Sequence, residues 1–218
     1  MVESGAAVLL TDRSADELAA LRQELGGARV EIFAADLSRA QGIAELFERV
    51  DQAFGGLDIL VACAGVGSGP LMEMDDAGWR YVIESNLSSY VACTRAAIER
   101  MTAEATGEAM VILVGSISVH IKAVGESVYN AAKGGVASFA ETLRKEMIPN
   151  SIRITLIEPG AIGSAMQPFS AEEREGMMRE NKLLRPDAVA EAIMFAATRP
   201  PGVDVVTLRI EPLVQKIF

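Results

Sequence analysis

Tyr129 and Lys133, in the run Tyr129-Asn130-Ala131-Ala132-Lys133, stand four residues apart. On a helix that spacing puts a phenol and an ammonium on one face, about one turn apart. A cation held beside a phenol favours phenolate and lowers a pKa whose ordinary value is about 10. Such a pair is suited to exchanging a proton with an alcohol near neutral pH. Ser116, thirteen residues earlier, falls at the carboxyl end of an expected strand, where ligands of open α/β sheets sit. Its hydroxyl would hydrogen-bond the same substrate oxygen. Taken alone, the Tyr–Lys pair reads equally well as a chance i, i+4 pair on a solvated helix.

Positioning these side chains falls to alternating strands and helices. Residues 6–11 (AAVLLT) predict a strand, after which Ser14 caps a helix with acids in its first turn. Beyond the Gly26-Gly27 break come a strand at 30–34 and a helix over 43–54, with Ile43, Leu46, Phe47, Val50 and Phe54 at helical spacing. Further buried-strand runs are 59–63 (ILVAC), closed by Gly65, Gly67 and Gly69, then 110–114 (MVILV), then 152–157 (IRITLI), closed by Pro159-Gly160. Long helical patterns cover 77–104 and 127–147, the second ended by Pro149. A polar, Met-rich stretch over 172–182, a helix over 186–198 and a strand over 205–210 follow. Strands apolar on both faces and alternating with helices imply an α/β fold, a parallel sheet covered on both sides in three α/β/α layers. Without a repeat or a linker, one domain over 1–218 is expected.

A net charge of −10 and a pI near 4.7 leave no basic surface for nucleic acid or an anionic membrane. No apolar run reaches the roughly 18 residues of a membrane span, and the N-terminus has no basic segment leading into an apolar core. A cytoplasmic location is therefore expected. Cys63 and Cys93 lie in apolar stretches without metal-ligand spacing and read as two core thiols.

Tyr129-x-x-x-Lys133 preceded by Ser116, with Asn86 upstream in Trp79-Arg80-Tyr81-Val82-Ile83-Glu84-Ser85-Asn86-Leu87 and Pro159-Gly160 downstream, resembles the short-chain dehydrogenase/reductase family, in order from about residue 6 onward. The resemblance implies a Rossmann-like doubly wound sheet and a catalytic set of Asn86, Ser116, Tyr129 and Lys133. Tyr129 would be the acid/base and Ser116 would orient the substrate oxygen. Lys133 would bind the nicotinamide ribose and tune Tyr129, while Asn86 would hold a water of the proton relay. The reaction implied is NAD(P)-dependent hydride transfer between a secondary alcohol and a ketone, the cofactor supplying the redox chemistry and no metal being required. Asp12 matches the acid that meets the adenosine ribose, and its charge would repel a 2′-phosphate, favouring NAD; Arg13 beside it would tolerate NADP. Asp12 reads also as a turn or capping acid. Asp36-Leu37 matches the adenine contact, Ala64-Gly65 the close backbone approach, and Pro159-Gly160, Ile162 and Ser164 the stretch that meets the carboxamide. Residues 161–185, with Met166, Met177 and Met178, match a substrate lid. Homodimers or homotetramers joined through the two long helices are implied as well.

The sequence also departs from that family. Its strand at 6–11 matches the family's second, so the first strand, the Gly-rich turn and the first helix are missing, and residues 1–5 look like the tail of that helix. In the family order 3-2-1-4-5-6-7 the missing strand belongs mid-sheet, so two strand edges would be left unpaired and a phosphate-binding helix N-terminus lost. A late start codon, a truncated product or a loss of dinucleotide binding would each explain this; the intact downstream positions favour the first two. Ala62-Cys63-Ala64-Gly65 stands where Asn-Asn-Ala-Gly is common. The alternative function is that of a non-catalytic relative, a binding or oligomer-forming subunit. The ending Thr198-Arg199-Pro200-Pro201-Gly202-Val203-Asp204, with Pro212 and Gln215, resembles the branch acting on small hydroxy acids or polar alcohols. His120, the lone histidine, is left without a role.

Overall fold

The computed structural model describes residues 1–26, 29–104, 109–200 and 202–215, so Gly27 and Pro201 of the segments above lie outside it. Strands and helices alternate: β1 (Val8–Asp12), α1 (Ala15–Leu25), β2 (Val30–Ala34), α2 (Ala40–Phe54), β3 (Ile59–Ala62), α3 (Asp76–Ile83) and α4 (Ser89–Glu104). They continue with β4 (Met110–Val114), α5 (Ser118–Ile121), α6 (Ser127–Glu146), β5 (Arg153–Pro159), α7 (Ala171–Arg179), α8 (Pro186–Ala197) and β6 (Thr207–Ile210). Local chemistry sets many of these ends. Ser14 Oγ accepts the Glu17 N–H at the start of α1, and Asp75 accepts from Gly78 at the start of α3. Ser170 and Glu173 form a reciprocal capping box on α7.

Among the described residues every strand pairing is parallel, as expected from strands apolar on both faces. Among the described residues the strands form two sheets, β2–β1 and β3–β4–β5–β6, so β1 and β3 each have one partner. This is the break that the family order anticipates. Central β4 is buried along its whole length, whereas β1 and β3 are half-exposed.

The larger sheet sorts its side chains by alternation. Val111, Leu113, Ile154 and Leu156 join a core with α2, α4 and α6. Met110, Ile112 and Ile157 face the other way and pack with Ala192 and Ala196 of α8. Leu9 and Phe33 of the smaller sheet pack against the first core, which ties the two sheets through α2. The helix expected over 77–104 is interrupted by a π-turn at Glu84–Ser88, a feature that widens the backbone spiral and often marks a functional position. Asn86 lies within it. No helix among the described residues is long and apolar enough to cross a membrane.

Candidate active site

The carboxyl ends of β3, β4 and β5 converge with α6, and the four residues expected to do chemistry lie there. Ser116 follows β4 through Gly115, whose N–H donates to Ile157 O at 2.7 Å. The loop then turns into α5, with the Ser118 N–H donating to Ser116 Oγ at 3.1 Å. Tyr129, in the first turn of α6, lies near enough to Ser116 for that hydroxyl to act on its phenol. Lys133, one turn on, is 4% exposed; its Nζ lies 5.9 Å from the centre of the Tyr129 ring. Asn86 is fully buried. Its Nδ2 donates to Val66 O at 2.8 Å and to Val82 O at 2.9 Å, while Oδ1 accepts the Val66 N–H at 3.2 Å. The amide thus straps the loop after β3 to α3. Gly65 passes so close that a Cβ there would fall 2.6 Å from Asn86 Oδ1 and 3.7 Å from Lys133 Nζ.

The electrostatics differ from the expectation that Lys133 lowers the Tyr129 pKa. Burial pushes the Tyr129 phenol above its ordinary value, the Ser116 hydroxyl pulls the other way, and Glu126 adds to the rise. Desolvation wins because the helix carries both groups into the protein interior, where the charged form of each is disfavoured. Lys133 pays the larger penalty: burial pushes its ammonium down to about 8. Two acceptors offset that cost, Tyr90 Oη and Val114 O, both at 3.0 Å.

Around this centre the remaining expected positions fall into two groups. Asp12, Arg13 and Asp36 gather at the ends of β1 and β2, where the Arg13 charge helps to lower the Asp36 carboxyl after the stronger effect of its hydrogen bond from Ser38. Asp12 Oδ1 accepts the Ser14 N–H at 2.9 Å, so the turn role holds for one of its oxygens. Arg13 reaches across to the Tyr81 hydroxyl on α3 and lies over that ring. Asp36 Oδ1 accepts from the Ser38 N–H and hydroxyl, and Leu37 packs against the larger core. The Asp12 charge also adds to the rise in the pKa of the Cys63 thiol. The second group follows β5: Pro159 and Gly160 are buried, Ile162 bridges to Leu184, and Ser164 is half-buried. Gln215 Oε1 accepts the Ala161 N–H at 3.1 Å, fastening the C-terminal segment to the start of the expected lid.

A further expectation fails. Cys93 is a core thiol, but Cys63 is an exposed residue, because β3 ends at Ala62 and the chain leaves the sheet there. Desolvation nevertheless raises the pKa of its thiol, and the Lys133 charge opposes that rise.

Two contacts were not read from the sequence. Glu158, 5% exposed, lies with Oε2 3.0 Å from His120 Nε2 and so ties α5 to β5. Tyr90 lies against Lys133. Its spacing of four from Asn86 on one helical pattern was the available signal.

The sequence model described as short chain dehydrogenase matches residues 1–175. The chain belongs to the short-chain dehydrogenase family. Similar members of this oxidoreductase family include the cis-4-hydroxycyclohexanecarboxylate dehydrogenase of Sinomonas cyclohexanicum, 34% identical over 207 residues that make up 91% of this chain and 82% of that protein. An oxidoreductase of Staphylococcus aureus (strain MRSA252) is 28% identical over 97% of this chain and 88% of its own length. Among solved structures, the closed form of serine dehydrogenase complexed with NADP+ aligns with a TM-score of 0.86 at 28% identity, covering 99% of this chain and 88% of that one. Its Rossmann-like fold is shared here.

Proposed function

We propose that this short-chain dehydrogenase is an NAD(P)-dependent enzyme that interconverts a secondary alcohol and a ketone, with Tyr129 as the acid/base. The reading rests on one juxtaposition: the Ser116 hydroxyl, the Tyr129 phenol and the buried Lys133 ammonium at the carboxyl ends of β3 and β4. Tyr129, kept protonated by burial, donates its proton to the oxygen of a reduced carbonyl and recovers it in the reverse direction. Ser116 holds that oxygen. Lys133 supplies positive charge beside Tyr129, and its free N–H binds ribose hydroxyls. Asn86 spends both N–H groups and one acceptor position on backbone, leaving a lone pair of Oδ1 for a relay water.

The residues fit a nicotinamide dinucleotide at both of its ends. Gly65 leaves a side-chain-free floor beside Lys133. The buried Thr11 Oγ1 has no hydrogen-bond partner, next to Asp12 at the far end. The Asp12 carboxylate favours NAD, and Arg13, though turned toward Tyr81, leaves NADP within reach. When bound, the dinucleotide supplies hydride at its nicotinamide C4. Small hydroxy acids are the substrates we favour: the relatives' names specify serine and cis-4-hydroxycyclohexanecarboxylate, and Gln215 of the C-terminal motif fastens the lid. We place this chemistry in a cytoplasmic homo-oligomer of one-domain subunits joined through α4 and α6, without metal.

A second reading, a non-catalytic binding subunit, is favoured by the break between β1 and β3. Fluorescence titration of the chain with NADH separates the two. Saturable binding supports the enzyme; a folded chain that binds none supports the subunit. Turnover is then measured with NAD or NADP on L-serine and cis-4-hydroxycyclohexanecarboxylate as probes. Tyr129→Phe is expected to lower kcat by about a thousandfold with little change in NADH affinity, and unchanged turnover would remove Tyr129 from the chemistry.

A further inference from the structure

Tyr90 is the one side chain holding Lys133 to which the mechanism above gives no part. It lies on α4, is 2% exposed and belongs to the larger core. Packing alone would be met by a phenylalanine. The hydroxyl instead donates to Val114 O at 3.0 Å and accepts from Lys133 Nζ at 3.0 Å, while Nζ also donates to Val114 O at 3.0 Å. A phenol has one proton, and this one is committed to Val114; what remains toward Lys133 is a lone pair. The Tyr90 hydroxyl is therefore an acceptor for the ammonium, whose charge also lies 4.6 Å from the centre of the Tyr90 ring. Two of the three ammonium N–H groups are fixed by this triangle. The third is directed by tetrahedral geometry, and Gly65 opens the space beside Nζ.

We propose that Tyr90 is a positioning residue for the reaction: its hydroxyl holds the Lys133 ammonium charged and aimed, and it acts on proton transfer only through Lys133. The proposal rests on the reading of Tyr129 and Lys133 as the proton-transfer pair. A buried ammonium is sensitive to each acceptor it has, because the low-dielectric surroundings magnify every hydrogen bond to a charge. Burial already pushes Lys133 down to about 8, so the loss of one acceptor changes its charge within the working pH range. The titratable groups acting on the pair are Cys63 beyond β3, Tyr129 on α6 and Cys93 on α4, and Asp12 reaches Cys63 from the end of β1.

The test needs no bound cofactor. The chain is labelled with [ε-13C]lysine, the Lys133 signal is assigned by its absence in Lys133→Met, and its titration is followed by NMR in wild type and Tyr90→Phe. The midpoint is expected to move down by about one pH unit in Tyr90→Phe, as loss of one hydrogen bond to a charge implies. The alkaline limb of kcat should move down with it while KM stays fixed. An unchanged midpoint in folded Tyr90→Phe overturns the proposal. Should Tyr90→Phe fail to fold, 3-fluorotyrosine installed at position 90 keeps the ring and the hydroxyl but weakens the oxygen as an acceptor. A smaller downward move is then expected, and no move overturns the proposal equally. Turnover that survives Tyr129→Phe defeats the catalytic reading instead, with the lysine titration still reporting on Tyr90 separately.

Discussion

Lys133 trades stability for a charge in the right place. Its ammonium is 4% exposed and pushed from an ordinary 10.5 to about 8, so the unfolded chain holds that proton more tightly than the folded one. The difference corresponds to about 3 kcal/mol, since each pH unit is worth about 1.4 kcal/mol. The sign follows from linkage: below pH 8 both states are charged and folding carries the whole penalty; between 8 and 10.5 the folded state alone is neutral and stability rises. Lys133→Met should therefore raise the unfolding free energy by about 3 kcal/mol at pH 7, a gain that fades toward pH 10.5, as urea melts at the two pH values would show. The same variant should abolish turnover. In wild type, turnover should fall as pH rises through about 8, where Lys133 loses its charge, although Tyr129 remains protonated well beyond. An enzyme whose rate holds level to pH 10 would contradict that assignment of charge.

The elements set these residues by a few close approaches. Gly42, in the first turn of α2, lies under the carbonyl of Asp36, and a Cβ there would fall 2.4 Å from that oxygen. The atom met is backbone, held by the Arg39 N–H at 3.1 Å, so it cannot turn aside as a side-chain tip would. Gly42→Ala should cost about 1–3 kcal/mol in a denaturant melt and displace the Asp36 turn, weakening binding at the adenosine end before the chemistry at Tyr129. A fully stable Gly42→Ala would show that the turn yields freely. Such contacts explain what was legible beforehand. Strand β2 and strand β4 were readable to the residue because they are short apolar runs between breaks, and the Tyr129–Lys133 face followed from helical periodicity alone. The π-turn at Asn86 and the end of β3 before Cys63 depend on hydrogen bonds between segments twenty or more residues apart, which periodicity does not encode. Tyr90 and Glu158 escaped for the same reason: each is an ordinary helix or strand residue until β4 or α5 supplies its partner.

At the scale of the whole molecule the site spans a break. Asp12, Arg13 and Asp36 stand at the end of the two-stranded sheet, whereas Ser116 follows a strand of the four-stranded one and Asn86, Tyr129 and Lys133 lie on the helical segments beside it. The division was legible only through the family resemblance, since nothing in the periodicity of residues 6–11 tells an edge from an interior strand. Its mechanical consequence is unequal protection. β1 pairs on one side, is half-exposed and is backed by α1, in which Leu18 is the one buried residue. β4 is fully buried and paired on both sides. Amides of β1 and β2 should therefore exchange hydrogen at least about a hundredfold faster than those of β4, reflecting local opening well below the global unfolding free energy. A ligand that touches both sheets stabilises the form in which they are aligned. Saturating NADH should then slow exchange at residues 8–12 and 30–34 together with the segment around Gly65 and Lys133. Slowing confined to the Gly65 and Lys133 segment would mean that the chain grips the nicotinamide end alone, and equal exchange of β1 and β4 in the free chain would show that the break carries no mechanical weakness.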